Sequence, residues 1–130
     1  MRVVGLPVRA CYRFISNYCF HVDIADTTSI GEDFVIWHGA HGSVINSNSR
    51  IGCHFHLRQN TTIGSSSFSD NSLCPIIEDN VSVGPNCCIF GKITIGHDSM
   101  IGGGSVVIHD VPPYSLVAGN PAKVIKVIDH

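Results

Sequence analysis

Aliphatic residues recur at every sixth position, glycine follows many of them, and the phase of the repeat breaks at only two places. These three observations predict an all-β chain: a left-handed parallel β-helix of hexapeptide repeats, preceded by a short N-terminal helix. The aliphatics run in three blocks: Ile24, Ile30, Ile36; then Ile45, Ile51, Leu57, Ile63; then Ile77, Val83, Ile89, Ile95, Ile101, Val107. A period of six fits neither an α-helix nor an ordinary strand, whose side chains repeat at about 3.6 and 2 residues. A triangular prism accounts for it. Each hexad supplies one flat strand and one corner, three hexads close a coil, and the aliphatics stack inside.

Gly31, Gly52, Gly64, Gly84, Gly96 and Gly102 each follow an aliphatic, where the missing Cβ permits a tight corner in which a Cβ would crowd, or a positive φ. Four places after the aliphatic stands a small or modest residue, as at Thr28, Ser49, Thr61, Val81, Cys87, Ile93, Ser99 and Ser105.

The elements follow in chain order. Residues 1–22 form a short helical segment and residues 23–130 the β-helix with a C-terminal extended tail. Leu6 to Phe20 reads as the helix: Pro7 suits its first turn, and Val8, Cys11, Tyr12, Ile15 and Cys19 fall on one stripe. The stripe caps the open end of the prism or packs on a neighbour, and its aromatics and arginines also suit weak contact with a membrane surface. The first phase break, nine residues from Ile36 to Ile45, makes 37–42 bulge from a corner. The second, fourteen residues from Ile63 to Ile77, makes 65–72 a projecting loop. Loops on a rigid scaffold commonly carry function. After the prism, Pro112 and Pro113 enforce a turn, and an extended path resumes from Ser115 to Val127.

Composition narrows the function classes. The 130 residues make one domain, 44% apolar and 14% charged. So little charge leaves the surface to Ser, Asn, Thr, Gly and backbone, or hides part of it under other subunits. A net charge of −2 gives no electrostatic case for nucleic acid. Cys11, Cys19, Cys53, Cys74, Cys87 and Cys88 show no C-x-x-C spacing and follow no secretory signal, so they read as reduced thiols of a cytoplasmic protein. No run approaches the roughly 20 apolar residues of a membrane span.

The segment Asp110-Val111-Pro112-Pro113-Tyr114-Ser115-Leu116-Val117-Ala118-Gly119-Asn120-Pro121-Ala122-Lys123-Val124-Ile125, together with the repeats from about Phe20 to Ile128, resembles the hexapeptide-repeat acyltransferases. Within them it is similar to the serine acetyltransferase-like group, which includes small sugar and exopolysaccharide O-acetyltransferases. Ile51-Gly52 and Leu57-Arg58-Gln59-Asn60-Thr61-Thr62-Ile63-Gly64 resemble the polysaccharide-modifying members. The resemblance implies a homotrimer with acetyl-coenzyme A as cosubstrate in the groove between adjacent prisms. It also implies a catalytic histidine fifteen residues after an acidic residue, a separation met by Asp23 and His38. Fifteen is close to one coil of three hexads, which should bring the two side chains near each other on adjacent rungs.

Three departures bear on the acceptor. Trp37 stands where the serine enzymes have Asp, Leu73-Cys74 stand before Pro75 where they have Arg-His, and little precedes the prism. Those positions help to hold serine in the family. The reading is therefore O-acetylation of a hydroxyl on a sugar or polysaccharide precursor, with serine O-acetylation as the alternative. One extra residue between His38 and Asn46, relative to the family, makes His41 a rival for the base.

An alcohol attacks a thioester readily only if a base removes its proton, and neutral imidazole is available near pH 7. His38 is assigned as general base and Asp23 as the carboxylate that orients it. Backbone N–H groups of Gly39 to Gly42 are candidates for the oxyanion. By resemblance, Gly103 and Gly104 let pantetheine approach the backbone, Ala118 and Gly119 line the thiol end, and Lys123 or Lys126 meets the phosphates. His54 is expected to point outward and His56 to sit at a turn, both solvated or at the trimer interface. No metal is expected. A γ-carbonic-anhydrase-like zinc enzyme is a rival class, although His54-x-His56 lacks the H-x₄-H spacing of those enzymes. A non-catalytic scaffold is the third class.

Overall fold

A computed structural model describes residues 5–129. Its strands climb a three-sided prism. The first face stacks β1 (Asp23–Ile24), β4 (Val44–Ile45), β7 (Thr62–Gly64), β10 (Cys88–Phe90) and β13 (Val106–Val107). The second stacks β2 (Ser29–Ile30), β5 (Arg50–Ile51), β8 (Ile76–Ile77) and β11 (Thr94–Ile95). The third stacks β3 (Val35–Ile36), β6 (His56–Leu57), β9 (Ser82–Val83), β12 (Met100–Ile101) and β14 (Ser115–Gly119), with β15 (Ala122–Val127) folded back antiparallel on β14. All the other strand pairs are parallel.

Strands of two or three residues have almost no local stability. Stacking between coils holds them instead. Ile24, Ile45, Ile63, Ile89 and Val107 stand in one vertical register on the first face, and Leu57, Val83, Ile101 and Val117 do the same on the third. Most of these side chains are fully buried, each contributing about 1.5–3 kcal/mol relative to exposure. Phe34 and Phe55 fill the inner position four residues after Ile30 and Ile51, and their rings stack with centroids 5.7 Å apart.

Of the two reasons anticipated for the glycines, crowding of a Cβ holds and positive φ does not. Left-handed backbone occurs three residues after the aliphatic instead, at Asp33, His54, Asn60, Asn80, Asn86, Asp98 and Gly104. Asn and Asp tolerate that region better than other L-residues. At Gly31, Gly52, Gly84 and Gly96 glycine is required by close approach between rungs. A Cβ on Gly31 would lie 2.6 Å from the Cys53 nitrogen.

The predicted helix is present as α1 (Leu6–Phe14) continued by a π-helical stretch, Ile15–Cys19. It is tied to the prism by Arg9 Nε donating to Asp26 Oδ2 (2.5 Å) and Tyr12 Oη donating to the Ile24 carbonyl (3.1 Å). No residue of it is buried. β3 is the end strand of the third face, and Ile36, inward by the repeat, is 43% exposed there. No helix among the described residues is long and apolar enough to cross a membrane. Both phase breaks are loops. The first contains a 3-10 turn, His38–Ala40. The second is braced internally, with Ser65 Oγ donating to the Asp70 carbonyl (2.6 Å) and Ser72 N and Oγ donating to Asp70 Oδ1.

Candidate active site

The corner from Trp37 to Ser43 joins the third face to the first. Its backbone is left-handed at three consecutive residues: His38 (φ 57°), Gly39 (75°) and Ala40 (49°). Such conformations cost an L-residue about 1–2 kcal/mol and collect at functional sites. Two local hydrogen bonds close the turn, Ala40 N to the Trp37 carbonyl (3.2 Å) and Ser43 N to the Ala40 carbonyl (3.0 Å). Ala40 is sealed inside and His38 is left outside, exposed.

The rung below fits against the far leg of this corner. Asp23 N donates to the Ser43 carbonyl (2.9 Å), and Gly42 N donates to the His21 carbonyl (2.7 Å). The register partner of Asp23 is Val44. This coil is 21 residues rather than three hexads, because the corner insertion lengthens it. Asp23 and His38 thus belong to neighbouring rungs at one corner. Their side chains are both exposed and make no hydrogen bond or ion pair with each other; the imidazole–carboxylate pairs among the described residues are His54–Asp33 and His97–Asp98.

His41 is held differently. Its Nδ1 lies 2.9 Å from the Phe20 carbonyl oxygen. A carbonyl only accepts, so Nδ1 carries the proton and Nε2 keeps its lone pair. The ring packs over Gly39, where a Cβ would come within 2.8 Å of Nε2.

Above this corner the same edge of the prism carries the other predicted residues. Gly103 follows β12, and a Cβ there would touch Pro85 at 3.3 Å; Gly104 faces open space with φ 74°. Ala118 lies against Gly102, and Lys123 and Lys126 are exposed on β15 opposite Ala118 and Leu116. From β3 to β14 are four rung steps, roughly 19 Å at the usual inter-strand spacing. The third face beside this edge is hollowed between Trp37, His56, Arg58, Gly84, Pro85 and Met100. Trp37 Nε1 donates to His56 Nδ1 (3.3 Å), and the Arg58 guanidinium lies 5.9 Å from the indole centroid.

No protein-family model matches the chain. Over 118 residues, 91% of its length, it is 41% identical to WcaB of Escherichia coli (strain K12), a protein bearing the name of a colanic acid biosynthesis acetyltransferase, and it covers 72% of that protein. The chain belongs to the hexapeptide-repeat acetyltransferases. Within that family it is also 35% identical over 111 residues to the serine acetyltransferase of Bacillus subtilis (strain 168). The soybean serine acetyltransferase apoenzyme, a solved structure, superposes with a TM-score of 0.84 at 31% identity over 92% of the chain. The chain spans about half the length of these serine acetyltransferases, 51% and 49%.

Sequence reading of this acetyltransferase missed several neighbours of its candidate residues. His56 is a strand residue bonded to Trp37, and His54 is the corner residue, the reverse of the expected turn at His56. Arg13, Asn46 and Asn71 line a trough with Asp23 on the first face.

Proposed function

We propose that the chain transfers an acetyl group from acetyl-coenzyme A to a hydroxyl of a sugar or polysaccharide precursor, with His38 as general base, working as a homotrimer. The observation that carries the reading is the strained, outward His38 at the foot of the edge that Gly103, Gly104 and Ala118 climb. That edge is flat because side chains are missing from it. It suits an extended pantetheine arm, with Lys123 and Lys126 at the upper end for the phosphates.

The chemistry needs no acyl-enzyme. Imidazole Nε2 of His38 takes the acceptor's hydroxyl proton as the oxygen attacks the thioester carbonyl carbon. The tetrahedral oxyanion collapses, the carbon–sulfur bond breaks, and the departing thiolate takes the proton back from the imidazolium. The Asp23 carboxylate, without a hydrogen-bond or ion-pair partner among the described residues, is assigned to stabilise that imidazolium. Within the 39–42 turn the oxyanion donors are the N–H groups of Gly39 and His41, since those of Ala40 and Gly42 donate to the Trp37 and His21 carbonyls.

His41 is a second reading on one specific observation. The Phe20 carbonyl already holds it in the tautomer that a base requires. Thiol release from acetyl-coenzyme A in an acceptor screen tests both. His38→Ala should lower the rate by roughly 10²- to 10⁴-fold and His41→Ala by far less. The reverse order would transfer the role to His41, and a full rate in both single variants would remove the base from this corner.

A further inference from the structure

Amphipathic surface helices turn their apolar side toward the body of the protein. α1 and its π-helical continuation do the opposite. Arg9 Nε donates to Asp26 Oδ2 and Tyr12 Oη to the Ile24 carbonyl. Arg13 shares a hollow with Ala25, Asp26 and Thr27, and Ser16 is half-buried. Their spacing of i, i+3, i+4, i+7 sets these four residues on one side of the helix, against the prism. The other side carries Pro7, Val8, Cys11, Phe14, Ile15 and Tyr18, every one of them exposed. Phe14 (60% exposed) and Tyr18 (70%) stand together there, with ring centroids 5.1 Å apart. We infer that this outward apolar side is a membrane-docking surface, seated in the headgroup region of an anionic bilayer with the prism standing off it. The inference does not depend on the acetyl-transfer reading.

A helix that lies in a bilayer interface has this design. Its apolar side, rich in aromatics, sinks roughly 5–10 Å, and its cations stay on the polar side. A helix is about 10–12 Å across, so arginines opposite Phe14 and Tyr18 stand at the height of the lipid phosphates. Charge selects the lipid. Residues 1–20 hold Arg2, Arg9 and Arg13 and no acid, whereas residues 21–130 hold five Lys and Arg against ten acids, a net −5. Asp26 neutralises Arg9, while Arg13 forms no ion pair among the described residues. An anionic surface therefore attracts the helical segment and is repelled by the rest of the chain, which orients the approach.

A second copy of the chain is the poorer occupant. The helix and its continuation, nine and five residues, make a face roughly 20 Å long and 10 Å wide. That footprint is far below the roughly 800 Å² that each partner contributes to a stable complex. A bilayer demands no matching surface. Cyclic symmetry also points the three helices of the proposed homotrimer the same way, so three weak contacts act together.

Vesicle flotation tests the contact without any acetyl transfer. The probes are vesicles of phosphatidylcholine alone, and of phosphatidylcholine with phosphatidylglycerol in equal parts. The wild-type chain should float with the anionic vesicles, several-fold less with the neutral ones, and less again at high salt. Phe14→Ser combined with Tyr18→Ser removes both aromatic anchors and should lower the partition coefficient at least about tenfold. Both side chains are exposed, so the melting midpoint should stay at the wild-type value. Phe68→Ser is the control, since it removes a still more exposed phenylalanine from the projecting loop and should leave flotation unchanged. A wild-type chain that floats with neither vesicle, or a double variant that floats as well as the wild type, would overturn the inference. So would flotation lost equally in Phe68→Ser. Equal partition onto both vesicles would overturn the anionic preference. Analytical ultracentrifugation supplies the remaining outcome: a wild-type assembly larger than that of the double variant, with no flotation, would assign the face to a second copy instead.

Discussion

Gly84→Ala is the substitution on which the rung geometry can be worked most fully. The added Cβ would lie 2.7 Å from the nitrogen of Gly103, 2.9 Å from its Cα and 3.0 Å from the carbonyl oxygen of Ile101. All three are main-chain atoms of the next rung, so none can swing aside as a side chain could. β9 and β12 must separate by several tenths of an ångström, and the Gly84 N–H bond to the Ile101 carbonyl, now 2.9 Å, lengthens. Overpacking strain of about 1–3 kcal/mol and a weakened hydrogen bond of about 1 kcal/mol give a loss of about 2–4 kcal/mol. For a chain of this size that lowers the melting midpoint by on the order of 10 °C. Gly64→Ala is the matched control, since its Cβ would meet nothing nearer than Asn46 Cβ at 3.6 Å. Far-UV circular dichroism during heating reads both. A Gly84→Ala protein as stable as wild type, or a Gly64→Ala protein equally damaged, would refute the close-approach account of the repeat glycines.

Other outcomes follow from the same structure. Leu57→Ala empties a fully buried position in the third-face ladder and should cost about 2–5 kcal/mol, measured by denaturant unfolding. Burial pushes the Cys87 thiol above its ordinary range, and Cys74 likewise, whereas Cys11 and Cys19 are exposed. Iodoacetamide near neutral pH should therefore label Cys11 and Cys19 first and leave Cys87 unlabelled until the chain unfolds; early labelling of Cys87 would contradict its burial. The Arg9 guanidinium holds the Asp26 carboxyl below its usual 3.8. A depressed carboxyl stabilises the folded form above that value and ceases to do so as the pH falls through the folded one. Amide exchange of α1 should thus speed up on acidification through the carboxylate range, and Arg9→Gln should remove most of that dependence.

The prism was legible because its cause is periodic. An aliphatic at one residue in six, repeated thirteen times, leaves a pattern that no single contact could blur. The exceptions are physical. Ile36 obeys the period yet is exposed, because it lies on the first rung and β3 is the end strand of its face. Asp23 and His38 do lie on neighbouring rungs, as counting predicts, but the inserted corner makes Val44 the register partner of Asp23 and the two side chains do not meet. Side-chain orientation at a left-handed turn cannot be counted from spacing. The trough was out of reach for another reason: Asn46 and Asn71 meet only because an aperiodic loop folds back, and nothing in a six-residue period encodes its path. Trp37 with His56 is an intermediate case, since residues 19 apart lie about one coil apart.

Binding of coenzyme A along the edge above His38 is the claim from which the rest descends. Calorimetric titration of acetyl-coenzyme A into the wild-type protein and into Gly103→Leu tests it most directly. Saturable binding by the wild type, weakened at least tenfold when leucine fills the flat edge of a still-folded chain, is the expected result. No heat from the wild type at millimolar ligand, or equal affinity in the two proteins, would contradict it.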